Sequence, residues 1–260
     1  MDKRLGAQLY TVRNLMKTPE DFCNTMKEIS KIGYKTVQLS GIDNSIITLD
    51  VVKKGVEEAN LEVICAQNFK PNEFPLDIDM IIDYYKTLNC SIAGVGGGNN
   101  EMRDSMDGLK AYIKQYNAIA RKLKDNGITF TYHNHAFEFY KLDGKYIMDY
   151  LIEETDPDAF GFVLDAYWLS FAGIDPVKYI EKLGKRCKII HLKDMMVLPA
   201  QNKVEMCEVM EGNLDFDKII NACEENGVVA AMVEQDTCVN GKPLESLKIS
   251  YNNLVKKGYC

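Results

Sequence analysis

Residues 122–135 read "KLKDNGITFTYHNH" and hold three signals in a row. A basic, amphipathic stretch ends at Asn126, a glycine follows at 127, and a strand-length apolar run closes on His133, Asn134 and His135. Basic residues followed by glycine are how a helix stops, because glycine takes the left-handed turn that other residues resist. The same order of amphipathic helix, glycine and strand recurs in "EISKIGYKTVQLS" at residues 28–40 and in "ACEENGVVAAMVEQD" at residues 222–236. Each such unit returns the chain to a new strand running in the direction of the last.

Reading outward from this stretch yields eight strand candidates. The first four are "LGAQLYTV" from Leu5, "KTVQLS" from Lys35, "LEVICAQ" from Leu61 and "CSIAGVGGG" from Cys90. The second half supplies "ITFTYHNH" from Ile128, "FGFVLDAY" from Phe160, "CKIIHLKD" from Cys187 and "VVAAMVEQD" from Val228. Runs rich in Val and Ile suit strands covered on both faces. Amphipathic helices lie between them. One starts at Thr18 and Pro19 and ends at Gly33, a cap, a first-turn proline and a stop. Another carries apolar Leu109, Ile113, Tyr116, Ile119 and Leu123 at helical spacing before Gly127. Asp215 is placed to cap a third. Eight βα units in 260 residues predict an α/β fold, a (β/α)8 TIM barrel, as one domain over residues 1–260. An open doubly wound sheet fits less well. No G-x-G-x-x-G follows the first strand, and "GVGGGN" at residues 94–99 follows the fourth without the Lys of a phosphate loop.

Composition narrows the partners. A net charge of −7 and the lack of any run of five or more Lys and Arg argue against nucleic acid, whose phosphates need a concentrated cationic face. No apolar stretch approaches a membrane span, and the first residues carry no signal core. The eight cysteines include no C-x-x-C, and several lie in apolar runs such as "EVICAQ", so reduced thiols and a cytoplasmic location are expected. Met195 and Met196 read as core filler.

In a barrel of this kind the C-terminal ends of the strands line the active face. There the chain places His133, Asn134, His135 and nearby Glu138 on strand five and Asp165 on strand six. Strand seven brings His191, Lys193 and Asp194, and strand eight brings Glu234, Gln235 and Asp236. A lone histidine at a strand end is commonly a hydrogen-bonded structural residue, and a carboxylate there can merely cap a helix. Convergence changes the reading. All three histidines of the chain fall on strands five and seven with Asp165 between them, and buried charge is costly unless paired or metal-bound. Mixed imidazole and carboxylate ends predict one divalent metal. Mn2+ is favoured, with Co2+, Mg2+ or Zn2+ as the other candidates. Trp168, just past Asp165, reads equally as core or as an aromatic wall for a sugar.

Together "GAQLYTVR", "YHNHAFEF", "GFVLDAYW", "IIHLKDM", "EGNLDF" and "VEQD" resemble, in order and spacing over essentially the whole chain, the xylose-isomerase-like barrel superfamily. Its sugar phosphate isomerase/epimerase group includes inosose dehydratases and ketose 3-epimerases, and endonuclease IV is a more distant member. The resemblance implies a metal held by a strand-five Glu, a strand-six Asp, a strand-seven His and a strand-eight Glu. Asp165, His191 and Glu234 match the last three. On strand five the usual Glu position holds His133, in "HNH" where many relatives read "ENH". Either His133 or Glu138 is then the fourth ligand. Gln67 on strand three stands where several relatives carry His.

The resemblance implies an enzyme acting on a keto-sugar or keto-polyol by proton abstraction next to a carbonyl, through an enediolate. Glu234 or Glu138 is the candidate base, with His135 and Lys193 placed to donate. Loop residues Gln8, Gln38, Asn68, Asn99 and Trp168 are the candidates for substrate contact. Epimerases of the group use two carboxylates on opposite faces of the substrate. With His133 in place of one, isomerisation or lyase chemistry on a keto-sugar, keto-glycoside or inosose is expected over 3-epimerisation. A nuclease is disfavoured by charge and by too few histidines. A non-catalytic sugar-binding barrel would have no use for an intact metal site. A small sugar is the expected partner, and a homodimer is compatible with all of this.

Overall fold

The computed structural model describes residues 5–69 and 77–259, with the side chains of residues 68 and 69 outside the described set. Eight parallel strands close into a barrel: β1 (Leu5–Gln8), β2 (Thr36–Leu39), β3 (Glu62–Phe69), β4 (Ile92–Val95), β5 (Thr129–His133), β6 (Phe160–Asp165), β7 (Cys187–Leu192) and β8 (Ala230–Val233). Each strand pairs with the next in the chain, and β8 closes on β1 with Leu5 opposite Ala231. Helices fill the intervals, and the chain is a (β/α)8 TIM barrel of one domain.

Local chemistry explains the punctuation. Thr18 and Asp21 form a reciprocal capping box over Pro19, at 3.1 Å in both directions. Asp215 accepts from the Lys218 backbone N–H at 3.1 Å and caps the helix Phe216–Glu225. At the helix ends, Gly33, Gly127 and Gly227 take φ values of 127°, 77° and 73°, the conformation the repeated pattern requires. In the helix Met106–Lys124 the predicted stripe, Leu109 to Leu123, is buried.

Strand alternation sorts the barrel interior into layers. Ile64, Ile92, Val163, Ile189, Ala230 and Met232 form an apolar cluster of their own. Residues two apart on a strand share a face. Asp165, His191 and Glu234 therefore stand one layer above Val163, Ile189 and Met232, at the C-terminal mouth. Gly6 makes room for this plug, since a Cβ there would lie 2.5 Å from the Met232 sulfur and 2.4 Å from Thr36 Oγ1.

Three features depart from the sequence reading. The first strand stops at Gln8, and "LYTV" belongs to a 3-10 segment, Leu9–Leu15, because the Gln8 side chain accepts the Tyr10 N–H and turns the chain. After β7 an antiparallel hairpin, Asp194–Leu198 with Lys203–Cys207, rises from the mouth. Met195 and Met196 lie half-buried on it and are not core filler. A smaller hairpin joins Lys141–Leu142 to Lys145–Tyr146. The seven described cysteines are free thiols. Among the described residues no helix is long and apolar enough to cross a membrane.

Candidate metal centre and its cavity

Four adjacent strands deliver the centre. His133 ends β5, Asp165 ends β6, His191 lies opposite Asp165 on β7, and Glu234 follows β8 with its N–H on the Leu192 carbonyl at 3.2 Å. One ligand-type atom from each of the four residues lies within 4.8 Å of the others, and all four residues are buried. His133 Nε2 is 3.4 Å from Asp165 Oδ2, and His191 Nδ1 is 3.7 Å from the same oxygen and 2.8 Å from Glu234 Oε2.

This donor set fits a divalent ion. The His191 Nε2–H donates to Gln38 Oε1 at 2.8 Å, which turns Nδ1 toward the carboxylates. His191 Nδ1 and Glu234 Oε2 face each other, yet neither completes a well-directed hydrogen bond. Nitrogen and oxygen ligand atoms that converge on one point, with no well-directed hydrogen bond completed between them, are what a cation satisfies.

The electrostatics agree. Burial pushes the Asp165 and Glu234 carboxyls up, but Lys193 and the histidines outweigh it and hold both well below the usual carboxylate range. Burial and His191 together lower His133, leaving it a neutral imidazole. Burial lowers His191 too, but Glu234 and Asp165 win and raise it to about 9. Lys193 is fully buried, 3.0 Å from Asp165 Oδ2, Glu234 Oε2 and Asp236 Oδ1, and these acids keep it an ammonium against the cost of burial.

Above the centre opens a cavity of about 470 Å³ whose lining includes Gln8, His133, His135, Trp168, Lys193 and Glu234. Gln8 Nε2 donates to Glu234 Oε1 at 2.8 Å and so orients that carboxylate. Trp168 is half-buried, stands 5.5 Å from both the His135 ring and the Lys193 ammonium, and leaves its Nε1–H without a partner. The Trp168 backbone N–H caps onto Asp165 Oδ1 at 3.0 Å, so the strand-six acid also starts the short helix Ala166–Phe171. Burial drives His135 down to about 3, a neutral ring at physiological pH.

Other sequence candidates lie elsewhere. Glu138 is buried outside the group of four; its oxygens accept from Tyr132 OH at 2.6 Å and from the His135 N–H at 2.8 Å. Burial raises it to about 7 against those two hydrogen bonds. Its place is behind the end of β5, bracing it. Gln38 sits behind His191 and does not line the cavity. Asn99 caps the short helix Asn100–Asp104. The Asn68 side chain lies outside the described residues.

Residues to which the sequence reading gave no role complete the surroundings of the cavity. Asp236 binds Lys193 through both oxygens, at 3.0 and 3.1 Å, and burial with the neighbouring Glu234 charge raises it to about 6. Tyr10 and Arg13 line the mouth from the segment after β1. Asn134 Oδ1 accepts the Asp165 N–H at 3.0 Å and ties β5 to β6. The short polar run after strand eight pointed to Asp236, while nothing in the local pattern marked the 3-10 segment.

Known proteins share this fold. The model of the xylose isomerase-like TIM barrel family matches residues 26–237. Among curated proteins, the inosose dehydratase of Clostridium beijerinckii is 27% identical over 254 residues, 84% of each chain. That of Clostridium tetani is 27% identical over 152 residues, so the match spans half of that relative's length. Among solved structures, a sugar phosphate isomerase/epimerase from Parabacteroides distasonis superposes with a TM-score of 0.76 at 22% identity, covering 98% of this chain and 94% of that one. The IOLI protein, whose structure holds a zinc atom, superposes at 0.73 and 13% identity over 99% of each chain. The chain belongs to the xylose isomerase-like TIM-barrel family.

Proposed function

We propose that the chain is a divalent-metal-dependent enzyme that removes a proton next to the carbonyl of a keto-sugar or keto-polyol. One observation carries the proposal: four buried ligand groups from four neighbouring strand ends converge within 4.8 Å beneath an open cavity. His133, Asp165, His191 and Glu234 would hold the ion, with Mn2+ the favoured occupant of a mixed oxygen and nitrogen set. Bound there, the ion supplies Lewis-acid polarisation of the substrate carbonyl.

The chain's own residues do the rest. Glu234 stays ionised and lines the cavity, with Oε1 fixed by Gln8, so it is the carboxylate positioned to accept the proton. Lys193 holds a permanent positive charge beside it, to balance charge developing on the substrate oxygen. Trp168 and His135 line the cavity wall.

Elimination of water is favoured over 3-epimerisation. Inverting a carbon needs proton acceptors on both of its faces, and the strand-five position in the ligand group holds the imidazole of His133. Glu138, the acid in the turn after β5, is spent on Tyr132 and the His135 N–H. A single carboxylate suffices for elimination. The proton passes from carbon to Glu234, the C–H electron pair forms the double bond, and the same proton leaves with the departing hydroxide as water. Two clostridial relatives carry the name of such an enzyme, a dehydratase.

The experiment is solvent exchange in D2O over ketoses, keto-glycosides and inososes with Mn2+ present, products followed by NMR. Deuterium uptake and loss of water are expected, with Glu234→Gln slowing both by about a hundredfold or more. Clean C3 inversion as the main outcome would remove the dehydratase reading. Unchanged exchange in Glu234→Gln would assign the base elsewhere.

A further inference from the structure

The charged groups at the cavity pair with one another, apart from one. Asp165, Glu234 and Asp236 all gather on Lys193. Arg13 comes from the 3-10 segment after β1, and its partners are neutral. Its Nη1 donates to the Tyr10 carbonyl at 2.7 Å, its Nη2 donates to the Asp236 carbonyl at 3.0 Å, and its guanidinium lies 4.0 Å over the Tyr10 ring. Among the described residues no carboxylate pairs with it, although the chain as a whole carries a net charge of −7.

Two carbonyls and an aromatic face fix the guanidinium plane and leave its remaining N–H donors and its whole charge uncommitted. A planar, pre-positioned guanidinium is the group that binds carboxylate or phosphate through paired hydrogen bonds. It is one residue away from the centre in connectivity. The Asp236 carbonyl holds Arg13, while the Asp236 carboxylate holds Lys193. Because Lys193 covers both Asp236 oxygens, that carboxylate does not compete for Arg13. Other donors in the same cavity, Gln67 Nε2 and Trp168 Nε1, are buried without partners and suit the neutral hydroxyls of a polyol.

We propose that Arg13 is a specificity-determining residue that binds an oxyanion, carboxylate or phosphate, on a substrate whose ketone end sits over the metal centre. The inference rests on the enolising reading of that centre and narrows its substrate class to acidic ketoses, as distinct from the neutral inososes.

The test uses the Mn2+-loaded full chain and three probes: fructose, fructose 6-phosphate and 5-keto-gluconate. Binding is measured by titration calorimetry at constant ionic strength. At least one acidic ketose is expected to bind tenfold or more tightly than fructose, and which one does so separates phosphate from carboxylate. Arg13→Gln should shrink that ratio to about one, while Arg13→Lys, which keeps the charge but not the fork, retains part of it. A thermal melt of each variant monitors the fold.

Equal binding of all three probes overturns the proposal. So does a ratio that survives in Arg13→Gln, and a lower melting temperature with that ratio intact would make Arg13 a structural clamp between the Tyr10 and Asp236 loops. Deuterium uptake into fructose without preference for an acidic ketose leaves the enolising centre standing and removes the anion subsite. Arg13-dependent preference in binding, with uptake into none of the ketoses, supports the subsite and removes the enolising reading.

Discussion

His191 is held from both sides. Gln38 takes its Nε2–H, and Glu234 and Asp165 face its Nδ1. Those carboxylates raise the ring to about 9, so without metal the imidazole carries a proton at neutral pH. A metal needs the Nδ1 lone pair, and binding must expel that proton. The sign follows. Below the raised pKa the proton competes, so apparent metal affinity climbs by about tenfold per pH unit and levels off above about pH 9. Mn2+ titrations across that range, in buffers of different ionisation enthalpy, measure the slope and the proton released. A flat profile would take His191 out of the ligand set. Gln38→Ala frees the ring to turn and should weaken Mn2+ binding by about 10- to 100-fold. The roles of these two side chains differ in legibility. A histidine after "KII" at the end of an apolar strand announces a site, whereas Gln38 is distant in sequence and reads equally well as a substrate contact.

At the scale of elements, the hairpin after β7 is anchored by one carboxylate. Buried Asp194 accepts backbone N–H groups from Met195 at 2.7 Å, Met210 and Gly212 at 3.0 Å, and Leu214 at 3.2 Å. It gathers the hairpin root and the "EGNLDF" loop into one unit next to the mouth. Gly212 is required there, because a Cβ would lie 2.2 Å from the Met195 carbonyl oxygen and 2.6 Å from Cys207 Sγ. Asp194→Ala strands several partly buried N–H groups and is expected to cost about 3 kcal/mol, read as a lower denaturant midpoint. Wild-type stability in that variant would mean that the loop is held by other contacts. The hairpin escaped sequence reading because "DMMVL" carries no turn signal of its own and methionines mimic core. Its partner strand, "KVEMC", becomes recognisable only once the antiparallel register pairs Asp194 with Cys207.

For the whole molecule, the centre ties together β5, β6, β7 and β8, elements that begin 101 residues apart between Thr129 and Ala230. A ligand that binds only the closed barrel stabilises all of it. At a free Mn2+ concentration a hundred times its Kd, the gain is about 2.7 kcal/mol. For a chain of this size that raises the melting temperature by about 5–10 °C. Scanning calorimetry with Mn2+ and after chelation gives the difference, and Asp165→Ala should abolish it. An equal shift in that variant would put the ion at another site.

The chain by itself determined the eight βα units, their glycine stops, their caps and the polar residues at the strand ends. These are local properties, set by backbone conformational preference and by the periodicity of apolar side chains. Tertiary structure alone decided which of those polar residues meet. His133 joins Asp165, His191 and Glu234, and Glu138 turns back to brace β5, a choice made by the short turn after the strand, where the His135 N–H and the Tyr132 hydroxyl claim both Glu138 oxygens. Pairing of β8 with β7 drew Asp236 onto Lys193, and closure of β8 onto β1 brought Gln38 behind His191 and Arg13 to the cavity mouth. Such contacts join residues up to 226 positions apart, as between Gln8 and Glu234, and no local pattern encodes them because distance through space depends on how the barrel closes.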